Sequence, residues 1–493
     1  MDTEKKNKKD KVVLVSLYNY ESSAVTCLSS FLEKNGYETY VIFFKRLYIN
    51  NVKSPSNQEY QLLMQKIKEI DPTVIGISLL CSGFSSIAKE TITALRALKI
   101  PIIVGGVAVT ISPEDYMHEE DFVCIGEGEY VFLELMDNLK NRILNKKIYE
   151  ADKLVDVNDL PHPFLPDKSR VFYLDNDKFE EIENFPIYST FTSRGCPYKC
   201  SYCCNNVFHR LYKNKGSWVR RRKVDDVIEE LEIIKKNNPK LAFIKFQDDI
   251  FFIDVGWLEE FSKKYKEKIG LPFYANGHFQ FCKNEKAISL FKNAGGYVVT
   301  LGIQSGSEKT RKEIFNRHNY SNEDVVKVSQ LLRKYDISAK YDLIVDNPFE
   351  TKKDKEETLN LLFRLKRPFR LYIHSLIYFP RTELAEYALE RGVITKEDLE
   401  NVKHKTLSNW IVRLDSGNEK ENLFYNSLYS LADATIIPRF VVKSLSRSKF
   451  FRKNPHLLKF LKYSRLFNYI PYAWKFRKSF NSYEIKRRIK EFT

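Results

Sequence analysis

Between Lys11 and about residue 150, apolar residues fall in short continuous runs separated by stretches of helical spacing. Lys11–Leu17 (KVVLVSL), Thr39–Phe44, Val74–Leu80 (VIGISLL), Ile102–Val104 and Asp121–Ile125 are such runs. A strand buried on both faces of a parallel sheet reads this way, whereas a half-exposed strand alternates. Ser22–Asn35, Gln58–Ile70, a stretch near Ser85–Leu98 and one ending near Asn141 carry the helical repeat. Gly36 and Asp71-Pro72 stop the first two. This alternation predicts an α/β fold over residues 10–150, a Rossmann-like doubly wound sheet. Ligands of such sheets sit at the carboxyl ends of the strands, where Ser78, Gly105, Gly106 and Gly126 fall.

Residues 151–185 hold Pro161, Pro163 and Pro166 among many charges and read as a linker. A second strand–helix series fills residues 186–395. Its strands are expected near Ile187–Thr192, Leu241–Gln247, Phe273–Ala275, Tyr297–Ile303, Ala339–Val345 and Arg370–Tyr378. Helices Val224–Lys236 and Val255–Lys268 lie between, the second with Asp254 as its N-cap. Six such units predict a partial (β/α)6 barrel, whose chemistry gathers at the strand carboxyl ends. Residues 396–493 read as a helical region that becomes basic and aromatic.

Composition narrows the class. The chain has 493 residues, 43% of them hydrophobic, enough for about three domains with large cores. Eight cysteines are too few for a secreted disulfide scaffold. No run of apolar residues is long enough for a membrane span, and the polar start MDTEKKNKKDK has no signal-peptide core. A cytoplasmic location is therefore expected. The net charge of +16 is concentrated: the 55 residues from Arg439 onward hold sixteen Lys or Arg and two acids, Glu484 and Glu491. Thirteen aromatics are interleaved with them, and Leu457, Leu458, Leu461 and Leu466 with Phe460 and Phe467 suit an amphipathic helix. Three readings stay open for this tail. It is a cover over the barrel, a peripheral contact with an anionic membrane surface, or, ranked last, a platform for single-stranded nucleic acid.

The strongest chemical signal is TSRGCPYKCSYCCNN, residues 192–206. Cys196, Cys200 and Cys203 follow the spacing C-x3-C-x2-C just after a predicted strand. Three thiolates on a short loop suit an iron–sulfur cluster. Structural zinc sites use four ligands, commonly as two separated pairs, and no second C-x2-C pair exists here. The neighbouring Cys204 reads as a packing residue. The ends of two other strands add candidates: Phe246-Gln247-Asp248-Asp249, where Asp248 and Asp249 are active-site carboxylates or a simple turn, and Gly302-Ile303-Gln304-Ser305-Gly306-Ser307-Glu308.

The cysteine loop resembles that of the radical SAM superfamily. The resemblance implies a [4Fe–4S] cluster held by Cys196, Cys200 and Cys203, with one iron left open to S-adenosylmethionine (SAM). It implies that Tyr202 lies against the adenine. Residues 302–307 resemble the family's G-[IV]-[EQ]-S-G-S segment, which implies that Gln304, Ser305 and Ser307 meet the ribose or methionine of SAM. Arg317 would then pair with the SAM carboxylate, the alternative being a solvated helix residue. Pro348-Phe349-Glu350-Thr351 and Phe379-Pro380-Arg381-Thr382 resemble P-G-E-T and F-P-G-T with the glycine replaced.

The order of the two domains resembles the cobalamin-binding branch of that superfamily, carried by Ile77-Ser78-Leu79, Val104-Gly105-Gly106, Ser112-Pro113-Glu114 and Gly126-Glu127-Gly128-Glu129. This implies that Ser78, Gly105, Gly106, Gly126 and Glu127 contact cobalamin. No D-x-H-x-x-G is present to supply a lower axial histidine, Ala108 stands where relatives often carry His, and Tyr18 and Tyr20 stand in a first loop usually built from small residues. The implied function is hydrogen abstraction from substrate by a radical from SAM, for cobalamin-dependent methylation of an unactivated carbon. A cyclisation, coupling or rearrangement without methyl transfer is the alternative, and a non-catalytic metal- or nucleic-acid-binding protein a distant third. The implied partners are a small-molecule or lipid-like substrate and a reductant such as flavodoxin or ferredoxin.

Overall fold

The computed structural model describes residues 9–47, 53–118, 121–143, 146–180, 186–404 and 419–458. They divide into two compact units, with cuts after residues 183, 202, 222, 377 and 408. In chain order the first unit begins β1 (Lys11–Leu17), α1 (Ser23–Lys34), β2 (Glu38–Phe44), α2 (Asn57–Ile70), β3 (Val74–Ser78), α3 (Ser85–Arg96), β4 (Ile102–Gly105) and α4 (Val107–Ile111). It continues β5 (Asp121–Ile125), α5 (Gly128–Lys140), β6 (Ile148–Glu150), β7 (Val171–Asp175) and β8 (Lys178–Glu180).

The strands form one sheet in the order β6-β5-β4-β3-β1-β2-β7-β8. Neighbours run parallel throughout, except β7 against β8. β1 sits between two partners, Val12 facing Thr39 on one side and Val74 on the other. That explains its unbroken apolar run: both faces of the strand are buried. The order reverses between β1 and β3, so the ligand crevice of this sheet opens at their carboxyl ends.

The stretch read as a linker contributes more than a connection. Val171–Asp175 (VFYLD) pairs in parallel with β2, Val41 facing Val171. A buried ion triad fastens it: the Lys45 ammonium lies 2.7 Å from both Glu59 of α2 and Asp175 of β7. All three side chains are almost fully buried, so each charge depends on the others.

The second unit begins β9 (Ile187–Thr190) and β10 (Ser193–Arg194). α6 (Cys204–Leu211) and β11 (Arg220–Arg221) belong to the first unit. The second unit resumes with α7 (Val224–Asn237), β12 (Phe243–Phe246), α8 (Val255–Lys268), β13 (Phe273–Gly277), α9 (Phe279–Cys282), α10 (Glu285–Ala294), β14 (Gly296–Gln304), α11 (Asn322–Lys334), β15 (Ser338–Val345), α12 (Lys352–Arg364) and β16 (Phe369–Ser375). Six strands lie in sequential order, β9-β12-β13-β14-β15-β16, all parallel, as a partial barrel requires. Asp254 does cap α8, accepting from the Trp257 amide at 3.0 Å. Behind the strands, Phe246, Phe251, Phe261, Tyr265, Phe273 and Phe291 form a network of ring contacts at 4.9–6.3 Å. Edge-to-face pairs dominate it.

α13 (Glu383–Glu390) and α14 (Lys396–His404) return to the first unit, where α14 packs on α3. α15 (Glu419–Ala432), α16 (Arg439–Arg447) and α17 (Lys449–Lys453) belong to the second. There they cover the free edge of β16. The Asp433 carboxylate accepts from the Leu371 amide at 2.9 Å, and Arg367 donates to the carbonyls of Ala432 and Ile437. An open strand edge invites pairing with another chain, and this cover removes it. The amphipathic run expected across Leu461 and Leu466 lies outside the described residues.

Replacing Lys45 with Met should destabilise the first unit by about 3–5 kcal/mol, because two carboxylates lose their buried counterion. Pulse proteolysis in urea checks this: cleavage within residues 9–183 should begin at lower urea, while the second unit keeps its own transition.

Candidate active site

The cysteine loop sits at the carboxyl end of β9, and the second unit clamps it along its length. At the entry, the buried Asp248 carboxylate accepts from the Thr192 amide (2.9 Å), the Thr192 hydroxyl (2.5 Å) and the Ser193 hydroxyl (2.6 Å). Asn276 at the end of β13 holds the Asp248 carbonyl at 2.9 Å. In the middle, the Tyr198 ring stacks on His278, centroids 4.2 Å apart. At the exit, Ser201 donates its amide to the Phe315 carbonyl and its hydroxyl to that of Ile314, and the Asn316 amide group holds Lys199. Tyr202 meets Phe315 edge-on at 5.0 Å. The opposing segment, Thr310–Ile314, is a single π-helical turn, a local irregularity frequent at functional sites.

Arg317 supplies the charge. Its guanidinium is buried and fully used: Nη1 to the Cys200 sulfur at 3.4 Å, Nη2 to the Gly302 carbonyl at 3.1 Å and Nε to the Tyr320 hydroxyl at 3.1 Å. It therefore stands as a positive charge against the cysteine loop, and its burial sets aside the alternative of a solvated helix residue. The buried Arg311 lies against the other side of the problem, donating to the Ser305 carbonyl and sitting 4.8 Å from the Tyr320 ring. His278 accepts from the Gln280 amide through Nδ1, while its Nε2 has no hydrogen-bond partner among the described residues. Burial, aided by Arg317, drives its pKa down to about 2, so the ring is neutral.

The β14 end behaves differently from expectation. Ser305 donates to Glu350 (2.6 Å) and Ser307 to Asp354 (2.6 Å), so both hydroxyls are spent inside the protein and not on a ligand. Asp248 is likewise a clamp and not a free active-site carboxylate, whereas Asp249 beside it is exposed. Gln304 is half-buried, in left-handed conformation (φ 63°) after a bulge in the β14–β15 register. Its amide folds over Gly302, where a Cβ would collide with it. Burial pushes the Glu350 carboxyl up to about 7, with Asp354 adding in the same sense and the Ser305 hydroxyl opposing.

Cys196 and Cys200 belong to this unit, and Cys203 opens α6 in the first, at the N-cap. A helix N-terminus favours thiolate over thiol. None of the three is in a disulfide. Among the described residues no three His, Cys, Asp or Glu side chains are grouped as ligands of a single ion. The donor set suits a cluster: three cysteines outside any disulfide at C-x3-C-x2-C spacing, a cation beside one and a helix start behind another.

The first unit offers a second surface. Ser78 at the end of β3 pairs in register with Gly105 at the end of β4, and Ser78, Gly105, Gly106 and Gly126 are all half-buried. Gly106 must be glycine: its φ is +105° and a Cβ would lie 2.5 Å from the Leu79 carbonyl oxygen. These strand ends present backbone and one hydroxyl, which fits the approach of a large flat cofactor. Gly126 and Glu127 are used internally. The Tyr212 hydroxyl fills the space over Gly126 and accepts from the Glu127 amide at 2.6 Å. The Glu127 carboxylate pairs with Arg220 at 2.7 Å and accepts from Val155. Tyr18 stacks on Phe84 at 4.5 Å, and Tyr20 packs on Phe43 and Tyr173, so both tyrosines of the first loop are committed to packing. Arg381, where F-P-G-T has glycine, keeps the left-handed backbone (φ 59°), while Phe349 needs no such conformation.

Comparison with known families matches residues 190–362 to the radical SAM superfamily and residues 10–136 to the B12 binding domain. The chain thus carries both a radical SAM domain and a B12-binding domain. An uncharacterized methyltransferase of Pyrococcus horikoshii is 27% identical over 66% of this chain and 72% of its own length. The cytidylyl-2-hydroxyethylphosphonate methyltransferase of Streptomyces wedmorensis is 25% identical over 59% and 62%. Among solved structures, the radical SAM methyltransferase TsrM of Kitasatospora setae, with cobalamin and [4Fe–4S] cluster bound, shares the fold: TM-score 0.58, 16% identity, 78% of this chain and 76% of that one. The radical SAM domain thus holds the clamped cysteine loop, and the B12-binding domain the glycine-lined strand ends.

Two measurements check the electrostatics. Asp248→Asn should speed amide exchange at Thr192 by about 10–100-fold, since a charged acceptor of three hydrogen bonds is worth about 1.5–3 kcal/mol. For Glu350 the folded pKa lies above the ordinary 4.5. Its stabilising contribution is then complete below about pH 4.5 and lost as pH rises through about 7. Glu350→Gln should remove that part of the decline in unfolding midpoint between those pH values.

Proposed function

We propose that this protein is a cobalamin-dependent radical SAM methyltransferase acting on an unactivated carbon of a small-molecule or lipid-like substrate. The observation that carries the reading is the clamped three-cysteine loop with Arg317 against Cys200, in a chain that also holds a B12-binding domain. When bound, the cluster with SAM supplies a carbon-centred radical and cobalamin supplies the methyl group.

The protein's own residues bind and orient. Cys196, Cys200 and Cys203 hold the cluster. Arg317 offsets its negative charge and ties Cys200 to the β14 end. Gln304, turned back by its left-handed backbone, faces SAM together with Tyr202, while Ser305 and Ser307 hold the loop beneath through Glu350 and Asp354. Asp249, exposed at the end of β12, contacts substrate. Ser78, Gly105 and Gly106 accept cobalamin, and Gly126 and Glu127 shape the adjoining turn through Tyr212 and Arg220. The methyltransferase activity of the relatives named above supports methyl transfer here. The reductant is a flavodoxin- or ferredoxin-type protein. No described helix is long and apolar enough to cross a membrane. The protein is read as cytoplasmic, touching a membrane surface through its C-terminal region.

The test is anaerobic purification with cobalamin, then iron, sulfide and cobalt analysis. About four irons and one cobalt per chain are expected, with cluster absorption lost when Cys196, Cys200 and Cys203 are replaced by Ala. With a substrate in hand, label from the SAM methyl group should enter product. Deoxyadenosine formed without labelled product would favour cyclisation or rearrangement, and iron without cobalt would remove cobalamin from the reading.

A further inference from the structure

The covered edge of β16 has an outer side. α16 is anchored inward by Val442, which is fully buried, and by Arg439, which donates to the Leu365 carbonyl. α17 turns Phe451 toward the same core. The opposite side of these helices is not what a solvated surface looks like. Phe440 is 73% exposed, Phe450 60% and Ile436 53%, with Leu457 exposed nearby in sequence. On α16 the exposed positions are Phe440, Lys443, Ser444 and Arg447, one helical stripe. Lys449 and Lys453 are exposed on α17. None of these four cations forms an ion pair with another described residue, and residues 434–458 contain no acid. The 35 residues that follow carry ten Lys or Arg against two acids.

We infer that the face formed by Ile436, Phe440, Lys443, Arg447, Lys449 and Phe450 docks on an anionic lipid bilayer. This rests on the reading of the C-terminal region as membrane-facing, and names the side chains and the lipid charge. The pairing of large apolar side chains with unpaired cations decides the occupant. A leaflet takes aromatic and aliphatic tips into its acyl boundary while its headgroups neutralise the cations. A second copy of the same face would set three unpaired cations against three. Single-stranded nucleic acid would use the cations and the two phenylalanines but leave Ile436 and Leu457 in water. The anchoring of α16 and α17 to the barrel core means the face is formed before it meets lipid, so little ordering entropy opposes docking.

The experiment is co-sedimentation of the full chain with phosphatidylcholine vesicles, with and without phosphatidylglycerol. Two variants accompany it, Phe440→Ser/Phe450→Ser and Lys443→Glu/Arg447→Glu. These positions are exposed, and unchanged thermal unfolding would show that both variants fold. The wild-type protein should bind the phosphatidylglycerol vesicles, less so as salt is raised, and the neutral ones at least about tenfold more weakly. Each variant should lose about tenfold or more in binding. If the wild type binds neither vesicle, or binds single-stranded oligonucleotide in preference, the membrane reading of the whole region falls with the inference. If it binds the charged vesicles but both variants bind equally well, the region still contacts membrane and this face is not the contact. If the wild type instead self-associates and the variants do not, the face is an interface between copies and the inference is overturned.

Discussion

Three cysteines within eight residues that are to offer thiolates to one cluster would carry like charges close together, and the loop that bears them has no regular secondary structure to hold it. Its shape must come from outside, and from groups that oppose the charge. Here that task falls on Arg317, whose guanidinium joins Cys200, the Gly302 carbonyl and Tyr320 in one buried fork. Because Gly302 is part of β14, the fork fixes the loop to the sheet itself. The β14 bulge and the left-handed Gln304 are then consequences of the same requirement: the strand must turn its Gly302 carbonyl toward the cation while lifting the next residues away. The π-helical turn at Thr310–Ile314 serves it too, presenting the Ile314 and Phe315 carbonyls to Ser201.

Below this fork lies a second layer of charge management. Ser305 and Ser307 donate hydrogen bonds to Glu350 and Asp354, and Arg311 donates to the Ser305 carbonyl. Glu350 is half-buried, and Asp354 lies in its neighbourhood. Burial is the main reason the Glu350 carboxyl rises to about 7, with the Asp354 charge adding to it, while Asp354, held by Ser307, Thr351 and its own capping box, stays low. The serines thus serve the architecture of the strand end.

Strands buried on both faces announce themselves by apolar runs, so β1 and β3 were legible in the chain; the barrel strands, whose burial alternates along β12 and β15, were legible from their repetition with helices between, and Asp254 from its place before α8. The cysteine spacing was legible because all three cysteines lie on one local segment. What stayed hidden depends on distant partners. Asp248 reaches Thr192 across 56 positions and Arg317 reaches Cys200 across 117, and no local pattern marks either as a clamp. His278 and Arg311 carry no motif at all; only their burial beside the loop distinguishes them. Val171–Asp175 was masked by the prolines before it, although its apolar run could have been weighed as a strand. The glycine rule misled at Arg381, which holds the left-handed conformation without being glycine, at a cost of about 1–2 kcal/mol.

Glycine carried different meanings in the two halves of the cobalamin expectation, and the structure separates them. Gly106 is glycine because Leu79 approaches its backbone, yet both it and Gly105 remain partly open at the strand ends. Gly126 is glycine because Tyr212 stands over it, with Trp218 stacked behind that ring at 5.3 Å. The same Tyr212 hydroxyl satisfies the Glu127 amide, and Glu127 in turn neutralises Arg220. Residues 203–222, which begin with Cys203, are therefore tied to the first unit by a tyrosine and an ion pair and not by packing alone.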